Sequence, residues 1–83
     1  MTTEEYRYQY TRYGFAFTVY QNRVEVKQRA LIGWKTDTLL LRTITDVGVR
    51  VGKLQLTLSD GKVREYVLGT KAEEARAALV ALL

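Results

Sequence analysis

The strongest constraint on this chain is a period of two. From Tyr6 to Leu68, apolar and polar residues alternate in short runs separated by turn residues. A pleated strand points successive side chains to opposite faces, so each run reads as a half-buried strand. Several such strands at short, even spacing predict a small all-β sandwich or barrel. Tyr6, Tyr8 and Tyr10 mark the first strand, and Tyr13-Gly14 a turn. Phe15, Phe17 and Val19 mark the second, followed by a tight Gln21-Asn22 connection in which Asn22 can take the left-handed conformation a hairpin favours. Val24 and Val26 belong to the third strand, Leu39 and Leu41 to the fourth, and Ile44, Val47, Val49 and Val51 to the fifth. The spacing from Leu41 to Ile44 to Val47 breaks strict alternation, which predicts a bulge or bend between Arg42 and Asp46. After Gly52, Leu54, Leu56 and Leu58 form the sixth strand, Asp60-Gly61 is the clearest hairpin signal, and a seventh strand runs from Val63 to Leu68.

The C-terminal end follows a different period. Thr70-Lys71-Ala72-Glu73 has the form of a capping box, and Glu73 and Glu74 suit the positive end of a helix dipole. Ala72, Ala75, Ala78, Leu79 and Leu82 then recur on one helical face. This predicts a helix over about 71–82. At about three turns it is too short to persist alone, so it must dock, and the open end of the barrel is its expected seat.

Composition narrows the chemistry. The chain has 83 residues, enough for one domain over 1–83, with strands over about 6–68. It has no cysteine and no histidine, which removes disulfides, thiolate metal sites and the commonest general base. Stability must come from packing, which the 47% hydrophobic content supports. The remaining carboxylates have simpler explanations than catalysis. Glu4-Glu5 is terminal, Asp60 belongs to a turn, Glu73-Glu74 opens the helix, and Asp37 and Asp46 are isolated. The glycines form no phosphate-cradling motif. The expectation is a non-enzyme with no cofactor, no metal and no small-molecule substrate. Met1 to Arg12 does not resemble a signal peptide, and no run approaches the roughly 20 apolar residues of a membrane span. Together with the missing cysteines, this predicts a cytoplasmic protein.

The order of elements, seven short antiparallel strands and then one amphipathic helix, resembles the pleckstrin-homology superfold. The central segments are similar to bacterial PH-like and GRAM-type domains. Phe17-Thr18-Val19-Tyr20-Gln21-Asn22-Arg23-Val24-Glu25-Val26 carries the likeness, with Leu39-Leu40-Leu41-Arg42-Thr43-Ile44-Thr45-Asp46-Val47. In the second stretch Leu39, Leu41, Ile44 and Val47 occupy the apolar positions of the family's I-P-L-x-x-I-x-x-V turn, without its proline. The resemblance spans roughly residues 6–82. It implies a mainly β fold with one C-terminal α-helix, a seven-stranded antiparallel barrel or sandwich capped by that helix. It also implies a scaffold that binds lipid, peptide or protein. The basic pattern of the family's phosphoinositide pocket is not matched, because the first hairpin loop is only Tyr13-Gly14, with Arg12 before it and Arg23 a strand later.

The candidate binding site is the hairpin between the third and fourth strands. Pairing Val24 with Leu41 and Val26 with Leu39 keeps apolar residues opposed. Extended outward, that register pairs Arg29 with Thr36 and Ala30 with Lys35, and makes Leu31-Ile32-Gly33-Trp34 the turn. A rival register pairs Ala30 with Leu41 and Ile32 with Leu39, with a Trp34-Lys35-Thr36-Asp37 turn. In the first, Leu31, Ile32 and Trp34 form an apolar tip flanked by Lys27, Arg29 and Lys35. Three readings of that tip follow. It folds back to cover the barrel edge, it contacts protein or a second copy, or it meets an anionic membrane surface, which the net charge of +4 would assist. An exposed sheet edge is the other candidate protein contact. A single-stranded nucleic-acid reading through Tyr6, Tyr8, Tyr10 and nearby arginines ranks last, because tyrosine is also a good strand former.

Overall fold

The computed structural model describes residues 5–83; residues 1–4, including Glu4 of the terminal carboxylate pair, lie outside the described residues. Seven antiparallel strands form two sheets. The first has the order β1 (Tyr8–Arg12), β2 (Phe15–Val19), β3 (Arg23–Arg29) and β4 (Trp34–Leu40); the second is β5 (Ile44–Arg50), β6 (Lys53–Leu58) and β7 (Val63–Val67). The single α-helix, α1 (Ala72–Val80), follows β7. No helix is long and apolar enough to cross a membrane among the described residues.

The alternation in the sequence becomes the core. Phe15, Phe17 and Val19 from β2 and Val24 and Val26 from β3 face Leu54 and Leu56 from β6 and Tyr66 from β7. Phe17 packs on Tyr66 with ring centroids 5.7 Å apart. Of the expected barrel or sandwich, the chain forms two separate sheets and no closed barrel. The chain leaves β4 through a 3-10 turn at Leu41–Thr43, which breaks the hydrogen-bond ladder before β5 starts. Leu41 turns inward there, and its N–H donates to the Asn22 carbonyl. The irregularity expected between Arg42 and Asp46 is this turn together with a register shift between Ile44 and Asp46. At the other side the sheets are bridged by a side chain: the Arg12 guanidinium donates to the Val67 carbonyl at 2.9 Å while lying 4.6 Å from the Phe15 ring centroid.

The helix docks through the predicted face. Ala72, Ala75 and Leu79 are buried, Ala78 and Leu82 half-buried. It packs on β5, β6 and β1, and so covers the gap between sheets on that side. The capping box does not form. Lys71, not Thr70, occupies the N-cap, with no side-chain cap hydrogen bond, because a 3-10 turn at Gly69–Lys71 runs directly into the helix. Backbone bonds fix this entrance instead: the Gly52 carbonyl accepts from the Leu68 and Gly69 N–H groups. Glu73 and Glu74 do occupy the first turn, where they complement the dipole.

Two turn expectations also change. Asn22 is not left-handed; its backbone carbonyl bonds Leu41 and its side-chain oxygen accepts from Arg23. Val51 does not belong to β5 but sits in the two-residue turn with Gly52, at φ +48°. Asp60-Gly61 behaves as expected, with Gly61 at φ +88° and the Asp60 carboxylate accepting from the Lys62 N–H.

Candidate binding surface at the end of the first sheet

The β3–β4 register is neither of the two expected. Val24 pairs with Leu39, Val26 with Asp37, and Arg29 with Trp34. The shift from the first expected register is two residues, so every side chain keeps its face. Leu41 is withdrawn into the corner after β4, so Leu39 takes its place opposite Val24. The loop is therefore Ala30 to Gly33, and Trp34 is the first strand residue rather than part of the tip. Gly33 closes it at φ +73°, with the Ala30 N–H donating to the Gly33 carbonyl. A left-handed position at the loop end is what glycine supplies without a Cβ clash.

The tip stands away from the domain. Leu31 and Ile32 are fully or nearly fully exposed, and Trp34 is 60% exposed. The indole does not cover the edge between the sheets. It lies on the outer face of the first sheet, where Trp34, Ala16, Lys27 and Thr36 line a shallow cavity of about 390 Å³. Lys27 and Arg29 are exposed around it, and Lys35 is exposed at the same end of the sheet on the opposite face. Sequence reasoning missed Tyr13, which the structure adds to this end. The Arg29 N–H donates to the Gly14 carbonyl, so the β1–β2 turn lies beside the base of the β3–β4 loop. The Arg29 guanidinium then donates to the Tyr13 hydroxyl at 2.7 Å. Tyr13 is itself exposed. Its only advance signal was an aromatic residue directly before a turn glycine.

The electrostatics of this end have one sign. No carboxylate side chain occurs between Tyr6 and Val24 or between Val26 and Thr36. The nearest on the outer face, Glu25, is held by Arg23 at 3.1 Å. Asp37 points to the inner face, opposite Val26. There it helps raise the pKa of Tyr66, whose main perturbation is burial itself and which Arg64 partly offsets. The Tyr66 hydroxyl is buried with no hydrogen-bond partner.

Of the three N-terminal tyrosines, Tyr8 and Tyr10 pack against the core and only Tyr6 is exposed. Two of the rings that would stack on bases are thus turned inward. The Tyr8 hydroxyl donates to the Lys71 carbonyl, and burial, then Glu74, pushes its pKa up. Among the described residues, no three His, Cys, Asp or Glu side chains gather as a metal site would require.

Compared with known protein families, curated proteins and solved structures, the chain matches none.

Proposed function

We propose that this chain is a non-catalytic, PH-like binding module that contacts a protein partner through the end of its first sheet. The observation that carries this reading is the exposed set Tyr13, Leu31, Ile32 and Trp34 among Lys27, Arg29 and Lys35, with no carboxylate in the two turns that present them. Large aromatic side chains next to arginine are the usual composition of protein hot spots. The cavity beside Trp34 offers a seat for a partner side chain. The partner's matching surface is apolar with acidic flanks, because two copies of this end would bring like charges together. Fold alone does not carry the reading, since one scaffold hosts many functions.

A second reading, contact with an anionic membrane, is favoured by the shape of the tip. Leu31 and Ile32 protrude without support, and lipid needs no pocket to receive them, while each nearby cation adds on the order of 1 kcal/mol at an anionic surface.

Trp34, the only tryptophan, distinguishes the two. Its emission is recorded with phosphatidylcholine vesicles, with vesicles containing phosphatidylglycerol, and with cell extract proteins separated by affinity to the immobilised domain. The protein reading expects specific partners retained by the wild type and lost with Leu31→Ser/Ile32→Ser, and no response to vesicles. A blue shift with anionic vesicles that the same variant abolishes supports the membrane reading instead. If neither ligand distinguishes the variant from the wild type, the tip is not a binding site.

A further inference from the structure

The four sheet edges are not treated alike. The edge of β1 carries α1, and its end is tied to β7 through Arg12. The edge of β5 also carries α1, with the Arg76 guanidinium reaching the Val47 carbonyl. On β7, the Val67 carbonyl is occupied by Arg12. On β4 the Leu40 carbonyl likewise accepts from the Thr43 hydroxyl at 2.7 Å, but from Trp34 to Leu39 its strand partner is β3 alone, and among the described residues no hydrogen bond reaches the backbone on its other side. It runs seven residues with no proline and no break in register. Such an edge is a template for another strand, and natural proteins usually protect it.

Two charges on its inner face, Lys35 and Asp37, protect it, and Asp37 is half-buried. They do not forbid pairing in general. They forbid pairing that fails to supply opposite charges. Antiparallel pairing of β4 with β4 of a second copy must keep inner faces with inner faces, so the allowed registers differ by steps of two. Centring the pair on Asp37 opposes two carboxylates. Centring it on Lys35 opposes two ammonium groups. Centring it on Thr38 sets Asp37 against Leu39. Centring it on Thr36 sets Lys35 opposite the partner's Asp37 and Asp37 opposite the partner's Lys35, with the two threonines facing each other. Opposite charges and threonine pairs are favourable cross-strand neighbours, whereas like charges are not. Neither Asp37 nor Lys35 has an ion pair within the domain among the described residues. In the same register Trp34 lies opposite the partner's Thr38, and the hairpin tip reaches level with the partner's Leu40, which is exposed in the isolated chain.

We infer that the free edge of β4 is a self-association site, pairing with β4 of a second copy about a two-fold axis at Thr36. The two four-stranded sheets then form one continuous eight-stranded sheet, and each contact is made twice, as isologous symmetry requires. One strand pair is a small interface, so the dissociation constant is on the order of micromolar or weaker. The inference goes beyond the tip reading: it shares Trp34 and Lys35 with that surface but rests on the edge of β4, not on the loop. Leu31 lies outside the paired segment and stays free for another partner.

The test is mass in solution as a function of concentration, by light scattering and sedimentation. The wild type is expected to approach about twice its 9.5 kDa chain mass as concentration rises. Lys35→Asp and Asp37→Lys each oppose like charges and are expected to raise the dissociation constant about tenfold or more. An equimolar mixture of the two variants restores both opposite-charge pairs, and is expected to dimerise when neither variant does alone. Restoration also shows that each variant is folded. Leu31→Ser is expected to leave the dimer intact, so loss of the tip function and loss of the dimer are read separately. A monomer at every concentration overturns the inference, as does a dimer indifferent to either charge reversal.

Discussion

Val51 offers the sharpest test of the backbone. It occupies the first position of the β5–β6 turn at φ +48°, followed by Gly52 at φ +74°. Two successive left-handed residues are the geometry of the type I′ turn, which matches the twist of a hairpin and usually takes Asn-Gly. A β-branched residue is a poor occupant, because the left-handed conformation brings Cβ against the following carbonyl at roughly 1–2 kcal/mol. Nothing offsets that strain, since the Val51 side chain is 92% exposed. Val51→Asn therefore removes strain without removing packing, and is expected to stabilise the fold by about 1 kcal/mol. For a domain of this size that raises Tm by about 4–8 °C. Val51→Gly relieves the same strain but gives the unfolded chain more freedom, which takes back roughly 0.5–1 kcal/mol. Val51→Ile keeps the strain. The expected order of stability is thus Asn above Gly, with Ile level with the wild type. Thermal melts and urea titrations measure it, with the urea midpoint moving while its slope stays constant. An Asn variant no more stable than the Ile variant would refute the argument, and with it the left-handed assignment of residue 51.

The remaining predictions concern single groups. Thr70→Ala is expected to change stability by less than about 0.5 kcal/mol, because the Thr70 side chain caps nothing; a working N-cap would cost about 1 kcal/mol to remove. Tyr66→Phe is expected to be neutral to mildly stabilising, since the hydroxyl it removes is 5% exposed as part of its residue and has no partner. The same variant changes the alkaline limb. The folded pKa of Tyr66 is raised, so the folded state holds its proton while the unfolded state loses it above the ordinary tyrosine value of 10.0. Stability is then full below that pH and falls as pH rises above it, and Tyr66→Phe should make the fall shallower in urea titrations across that range.

Much of the fold was legible because it depends on period. The alternations at Phe15-Phe17-Val19 and Leu54-Leu56 each bury one face of a strand. A three-to-four spacing buries Ala72, Ala75 and Leu79 together. Asp60-Gly61 was legible because its conformation is local. What was lost depended on distant partners. Thr70 has the right neighbours for a capping box, but Gly52 reaches the helix entrance first and fixes it as a 3-10 turn. Asn22 has a left-handed propensity, yet Leu41 and Arg23 engage both its oxygens in another conformation. Val51 continues the apolar alternation of β5, so period alone assigned it to the strand. The open edge between the sheets was invisible as well, because the break after Leu40 follows from where Leu41 packs. Of the candidate surface, Lys27, Arg29, Leu31, Ile32, Trp34 and Lys35 all stand at one end of the first sheet, but Tyr13 reaches it only through the β1–β2 turn.

The β3–β4 register shows why charge adds information where apolar pattern runs out. A shift of two residues leaves every apolar side chain on the same face, so alternation cannot choose between Leu39 and Leu41 as the partner of Val24. The observed choice fixes the position of Asp37. In the register with Val26 opposite Leu39, Asp37 would face Gln28, nearer the hairpin tip. In the structure it stands opposite Val26, on the inner face beside buried Tyr66, within an edge strand. A half-buried carboxylate there raises the cost of every added strand that brings another carboxylate or an apolar side chain to that point. It lowers the cost of one that brings a cation opposite it. The β4 sequence carries that cation itself, Lys35, on the same face and two residues away. The edge is therefore closed to most strands by the same side chain that leaves it open to a copy of itself.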